Sequence, residues 1–318
     1  MIHKRFIPLC AALLMALTAA SAWASDGRLD VVVSIKPIHA LVAGVMQGVG
    51  TPHLLLNDRQ SPHHFALKPS QARLLQQAEL VFWVDPSLET PMPALLASLA
   101  PHAIDIRFMA DQDLVRYQNK ISDDSDDDHE GHEGHEDHEG HGRGHMVNPH
   151  IWLDLENARR MVWSIAATLS AVDPQHAGAY ASNAAKLDKR LVDLHEVAKR
   201  QFASIQRNKF IVQHDAFIYI ERQFKLPRGL VIALDHNTPP GTAHLQHLRD
   251  LVAAGVVSCI FDEPQGAGHQ IDIVAGTSFV RRATLDAVGV GLPAGPDLYF
   301  DMMRANYAAF ADCLAGTH

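Results

Sequence analysis

The chain has 318 residues, of which 47% are hydrophobic and 20% charged, with a formal net charge of −9. This is ordinary globular composition, long enough for one large domain or two smaller ones with real cores, and it excludes a wholly disordered chain. The acidic balance offers no basic face for nucleic acid.

The N-terminus reads as a secretory signal. His3, Lys4 and Arg5 precede an apolar run from Phe6 to Ala20, and Ala22-Trp23-Ala24 places small residues where a signal peptidase reads, so residues 1–24 are expected to be removed. The run is short for a membrane anchor. Cys10 lies inside it, far from the cut site, and is not read as a lipid-anchored cysteine. The mature chain is therefore expected to be soluble and exported.

A first lobe is expected over residues 25–172. "LDVVVSIKPIHALVAGVMQG" opens with an apolar strand, stopped by Pro37 and followed by a helical pattern, and Leu80–Val84 repeats the strand before a turn at Asp85-Pro86. Buried strands that alternate with helices predict mainly parallel sheets covered on both faces. Between them "SPHHFALKPSQA" reads as a loop running into a helix. Residues 122–146 hold acids, glycine and histidine with no apolar periodicity; from Asp123 to His145 there are ten acids against one arginine. Such a stretch cannot build a core and is expected to be a disordered insertion.

"NPHIWLDLENARRMVWSIAATLSAVDP" then predicts a helix from near Glu156 to the Asp173-Pro174 break. A long linking helix is expected over residues 173–203, with Tyr180, Ala184, Leu187, Leu191, Leu194 and Ala198 at steps of four and three on one stripe. In the second lobe, residues 204–318, "KFIVQHDAF", "LVIALD" and "VVSCIFDEP" read as buried strands running into loops, with a helix over Ala243–Ala254 before the third. The fold class is thus α/β: two βα lobes, each with a mainly parallel sheet flanked by helices, joined by one rigid helix. Ligands in such folds bind in the cleft between lobes and at the carboxyl ends of the strands.

After signal removal two cysteines remain, Cys259 and Cys313. An even pair in an exported chain points to a disulfide, with two buried thiols as the alternative. Closing that loop would contribute about 3–4 kcal/mol in the chain-entropy model.

The chain has 21 histidines, so position matters more than number. His63 lies in a loop entering a helix, His150 just past the acidic insertion, and His214 at the end of a buried strand. Two belong to the first lobe and one to the second, so facing lobes would let the three imidazoles converge. Neutral imidazoles suit a borderline cation such as Zn²⁺, which favours four-coordination. Spacing alone does not select these three from the other histidines.

"SPHHFALKPS", "NPHIWLD" and "QHDAFIYIE" stand in the order and approximate spacing of the metal-specific solute-binding proteins of ABC importers, and the chain resembles the zinc-binding branch of that family. The resemblance spans the mature chain and includes the long helix, "FDEPQ", "TLD" and the cysteine positions. It implies His63, His150 and His214 as metal ligands, and Asp286 or water as the fourth. It implies zinc over manganese, because manganese relatives tend to carry a carboxylate where this chain has His214. Pro62 stands where some zinc relatives have an acid before the first histidine. The resemblance also implies a disulfide between Cys259 and Cys313 and an auxiliary metal-binding loop, here offering His129, His132, His135, His138, His141 and His145. A loop that must be ordered at about 1–2 kcal/mol per residue binds more weakly than a preformed cleft. Asp215 suggests an outer carboxylate supporting a ligand, or equally a helix cap. Glu263 reads as a structural salt bridge or cap, and His64 as a non-ligand.

These readings predict a periplasmic, monomeric zinc carrier that is not an enzyme. Its partners would be an inner-membrane ABC permease with its ATPase, and as a further candidate a periplasmic zinc chaperone. The competing expectations are a manganese or other divalent-metal carrier, a periplasmic zinc store working through the histidine-rich segment, and a zinc hydrolase, for which the sequence shows no "HExxH" helix.

Overall fold

A computed structural model describes residues 29–58, 60–119, 147–203, 205, 208–233, 239–266 and 268–315. The expected signal segment and the histidine-rich insertion, with His129, His132, His135, His138, His141 and His145, lie outside the described residues.

The first sheet is built from β1 (Val31–Val33), β2 (His53–Leu54), β3 (Leu80–Trp83) and β4 (Ile104–Arg107). Its order is β2-β1-β3-β4 and every pairing is parallel. Every residue of β1 and β3 is buried, as continuous apolar runs between two helical layers must be. Helices α1 (Lys36–Val45), α2 (Pro69–Gln77), α3 (Met92–Leu99) and α4 (Leu155–Val172) accompany it. α1 opens with proline in its first turn, where the missing N–H costs nothing. α4 starts at Leu155 because Asp154 accepts from the backbone N–H groups of Glu156 and Asn157.

The linking helix α5 runs from Ala177 to Phe202. It begins after a 3-10 turn over Pro174–His176, four residues later than the sequence suggests, because Pro174 and the turn separate it from α4. Its 26 residues span about 39 Å at 1.5 Å per residue. The predicted stripe from Tyr180 to Ala198 is buried, and Phe202 extends it. α5 packs against α4, α1 and the last helix of the chain. At Gly44 of α1 an added Cβ would lie 2.7 Å from a terminal methyl of Leu187, so a larger residue there would have to push that side chain of α5 aside.

The second sheet repeats the first with β5 (Lys209–His214), β6 (Leu230–Ala233), β7 (Val257–Asp262) and β8 (Arg281–Thr284) in the order β6-β5-β7-β8, again all parallel. Its helices are α6 (Ile218–Gln223), α7 (Thr242–Ala253), α8 (Gly268–Ala275) and α9 (Leu298–Leu314). One hydrophobic core runs through both lobes by way of α5 and α9, and a smaller cluster around Ile211, Ile260 and Leu248 lies under α7 and α8. A disulfide joins Cys259 of β7 to Cys313 of α9, with 5.8 Å between Cα atoms. No helix among the described residues is long and apolar enough to cross a membrane.

In each sheet the chain steps outward once and then crosses back, so the strand order reverses between β1 and β3 and between β5 and β7. Ligands of open parallel sheets gather at the carboxyl ends of such strand pairs. β5 ends on His214, and the residue after β7 is Glu263.

Candidate metal centre

His63 comes from the loop between β2 and α2. Gln60 and Gln71 brace that loop: Gln71 Nε2 donates to Leu55 O at 2.5 Å and to Gln60 Oε1 at 2.6 Å, while Lys68 N donates to Gln71 Oε1 at 2.7 Å. His150 immediately precedes a short 3-10 turn over Ile151–Leu153, and His214 is the last residue of β5. All three are buried, and one ring nitrogen from each lies within 4.8 Å of the others. The ring centroids are 5.1 Å apart for His150 and His214, 5.8 Å for His63 and His150, and 6.4 Å for His63 and His214. The two lobes thus bring together the three histidines singled out in the sequence.

The far nitrogens of two rings are held by oxygen. His214 Nδ1 is 2.5 Å from Glu263 Oε1, and His150 Nδ1 is 3.0 Å from Asn148 Oδ1. Asn148 Oδ1 also accepts from the His150 backbone N–H, an Asx turn, and Asn148 Nδ2 donates to Asn119 Oδ1 and to the backbone carbonyl of Asp215. The asparagine amide is therefore oriented by its donors, its oxygen must accept, and the proton sits on His150 Nδ1. By the same logic the carboxylate holds the His214 proton on Nδ1. Both Nε2 atoms then carry lone pairs, and they face each other at 3.3 Å. Two imidazole acceptors at that distance repel unless a cation lies between them.

The pocket is lined by the three histidines, Pro62, Glu263, Pro264, Gln265, Asp286, Ala287 and Val288 and has a volume of about 10 Å³, room for roughly one water-sized particle. Asp286 is at its wall, but its oxygens already serve the following loop. Oδ1 accepts from the backbone N–H groups of Val288 and Gly289 and Oδ2 from that of Val290. Burial pushes its carboxyl above the usual aspartate range, with the Glu263 charge adding to the rise, and the three N–H bonds oppose it. Asp286 is not among the nitrogen and oxygen atoms that converge within 4.8 Å.

Asp215 pairs with Arg228, which also binds Glu221 at 2.6 Å. The residue that holds His214 is Glu263, the salt-bridge partner expected at the strand end but facing the cleft. His64 is exposed, as expected of a neighbour that points away. Sequence reasoning missed Asn148; the signal was its place two residues before His150, where an Asx turn fits.

The sequence profile of the periplasmic component A of the zinc-uptake complex, ZnuA, matches residues 31–313. The chain is 36% identical over 301 residues to the high-affinity zinc uptake system protein ZnuA of Paracoccus denitrificans, covering 89% of this chain and 91% of that one. It is 32% identical over 308 residues to the protein of the same description from Brucella suis, covering 91% and 92%. Its fold is similar to a crystal structure of a 138-173 deletion mutant of ZnuA with zinc bound, with a TM-score of 0.75, 20% identity and coverage of 92% of this chain and 100% of that one. It is equally similar to the solute-binding protein FpvC of Pseudomonas aeruginosa in complex with Mn²⁺, with a TM-score of 0.75, 21% identity and coverage of 90% and 98%. The chain belongs to the family of the periplasmic component A of the zinc-uptake complex.

Proposed function

We propose that this protein captures one Zn²⁺ on His63, His150 and His214 in the cleft between its lobes and delivers it to an ABC permease, with its ATPase, at the inner membrane. The observation that carries the reading is the pair of buried Nε2 atoms facing each other at 3.3 Å while Glu263 and Asn148 hold both Nδ1 protons. That is how a protein presents imidazole to a metal: the far N–H is donated to oxygen, which fixes the tautomer and raises the basicity of the ligating nitrogen. Three nitrogen donors favour zinc over the harder manganese ion. The same fold carries proteins crystallised with either ion, so the donors and not the architecture make the choice.

Water is the fourth ligand in this reading, because Asp286 lies outside the set of donor atoms that converge on the site and faces the N–H groups of the loop behind it. A pocket with room for roughly one water-sized particle suits a single ion that is held and released. The family is one of uptake components and not of enzymes. The chain is exported through its signal segment to the periplasm, acts as a monomer, and uses its histidine-rich segment to gather zinc weakly for the cleft; a periplasmic zinc chaperone is a further partner in this scheme.

Competitive zinc titration of the mature chain tests the proposal. One tight zinc is expected, lost in the triple variant His63→Ala, His150→Ala, His214→Ala, and weakened at acid pH because protons compete for the same nitrogens. Deletion of residues 123–143 should leave the tight ion in place. Several equivalent sites that vanish with that deletion would instead identify a store.

A further inference from the structure

Lys36 is out of place by ordinary rules. It is the first residue of α1, where the helix end already carries partial positive charge, and it is buried at 8% exposure. Its ammonium group has three protons, and three acceptors surround it: the backbone carbonyls of Gly289 at 2.9 Å and Leu292 at 2.7 Å, and the carboxylate of Asp58. Lys36 and Asp58 belong to the first lobe, and the carbonyls to the loop between β8 and α9 of the second.

The connections continue on both sides. Asp58 lies five residues before His63 in the same loop, and its second oxygen accepts from Gly291 N at 3.2 Å. In the facing loop the Gly289 N–H donates to Asp286, on the wall of the histidine pocket, and the Gly289 carbonyl accepts from Lys36. Gly289 has a φ of +76°, and an added Cβ would lie 3.0 Å from Leu298, so the junction demands glycine. The small space beside Lys36 shares Pro62, Gln265 and Val288 with the histidine pocket.

His150 is tied to the second lobe differently. Trp152 Nε1 donates to Ala287 O at 2.7 Å, Tyr299 OH to Trp152 O at 2.7 Å and Tyr219 OH to Asn148 O at 2.6 Å, all buried. The Asp58 side chain, by contrast, is 37% exposed. The His150–His214 side of the cleft is bolted, and the His63 side is fastened by an ion pair at the solvent boundary.

We propose that Lys36 is a positioning residue for the metal site: with Asp58 it clasps the His63 loop to the loop after β8, and opening this clasp is the step that frees the ion. The inference rests on the zinc reading above. Its test is the rate at which the zinc-loaded mature chain gives up its ion to excess chelator, for wild type, Lys36→Met, Asp58→Asn and the double variant. Each single change should speed release about tenfold or more, because removing either partner leaves the other without its counter-charge, the Lys36 end being buried, and such a loss acts mainly on dissociation. The double variant should be little faster than the faster single one, as expected when both act through one contact. The rise in melting temperature on adding zinc should shrink in parallel. Release within about twofold of wild type, or equal losses of melting temperature with and without zinc, would reduce Lys36 to an ordinary stabilising residue and overturn the proposal. Should Lys36→Met not fold, Asp58→Asn, more exposed, carries the test. A wild-type chain without a tight zinc refutes the zinc reading itself, and the clasp with it.

Discussion

Replacing Glu263 separates a ligand's orientation from its presence. The carboxylate is buried, lies 2.5 Å from His214 Nδ1 and also accepts from the His214 backbone N–H at 3.3 Å. Glu263→Gln keeps the shape and one acceptor oxygen but loses the charge, and charge-assisted bonds are roughly twice as strong as neutral ones. About 1.4 kcal/mol, or tenfold in zinc affinity, should be lost. Glu263→Ala also removes the acceptor, leaves a buried N–H with no direct replacement and frees the ring to turn, so the loss should approach about a hundredfold, or roughly 2.7 kcal/mol. The assay is competition with a chelator of known affinity at pH 7.5, with circular dichroism to show that each variant is folded. Affinity in both variants within twofold of wild type would refute the claim that the Glu263–His214 bond prepares Nε2 for the metal.

Asn148→Ala should weaken zinc binding by about ten- to a hundredfold, since it releases His150 Nδ1 and the link to the Asp215 carbonyl together; the same competition assay measures it. Glu89 is fully buried beneath the ends of β1 and β3, accepts from the backbone N–H groups of Val84 and Asp85, and burial raises its carboxyl from 4.5 to about 7. The folded state therefore keeps a proton that the unfolded chain loses, so Glu89 lowers stability progressively as pH rises from 4.5 to 7 and by a constant amount above that. Glu89→Gln should remove this pH dependence and be more stable than wild type at pH 8, by up to about 3 kcal/mol, with the gain vanishing near pH 4; denaturant unfolding of metal-free protein at both pH values checks it. Changing both Cys259 and Cys313 to serine should cost about 4 kcal/mol in the chain-entropy model for a separation of 54 residues, read as a lower urea midpoint than that of the oxidised protein.

The buried elements were the legible ones. β1, β3, β5 and β7 are runs of apolar residues because both faces of a parallel sheet are covered, and the stripe on α5 repeats at helical spacing because one face meets the core. The edge strands β4 (IDIR) and β8 (RRAT) escaped notice because half-exposed residues carry charge and lack an apolar signature. α9, though rich in buried residues, was not anticipated from its sequence either; it is amphipathic on too broad a face to give a clean stripe.

What the sequence determined by itself was the inventory: the alternation of strand and helix, the break at Asp173-Pro174 and the paired cysteines, with the three histidines singled out from the other eighteen only by the family resemblance. Local pattern encodes these, since burial and periodicity act over a few neighbouring residues. What only the tertiary structure decided was which side chains meet. Glu263 reaches His214 across 49 residues and Lys36 reaches Gly289 across 253, whereas Asp215, next to a candidate ligand in sequence, turns to Arg228 instead. Neighbours along a strand point to opposite faces, and partners in a cleft are set by the packing of two lobes, so distance along the chain carries no information about them.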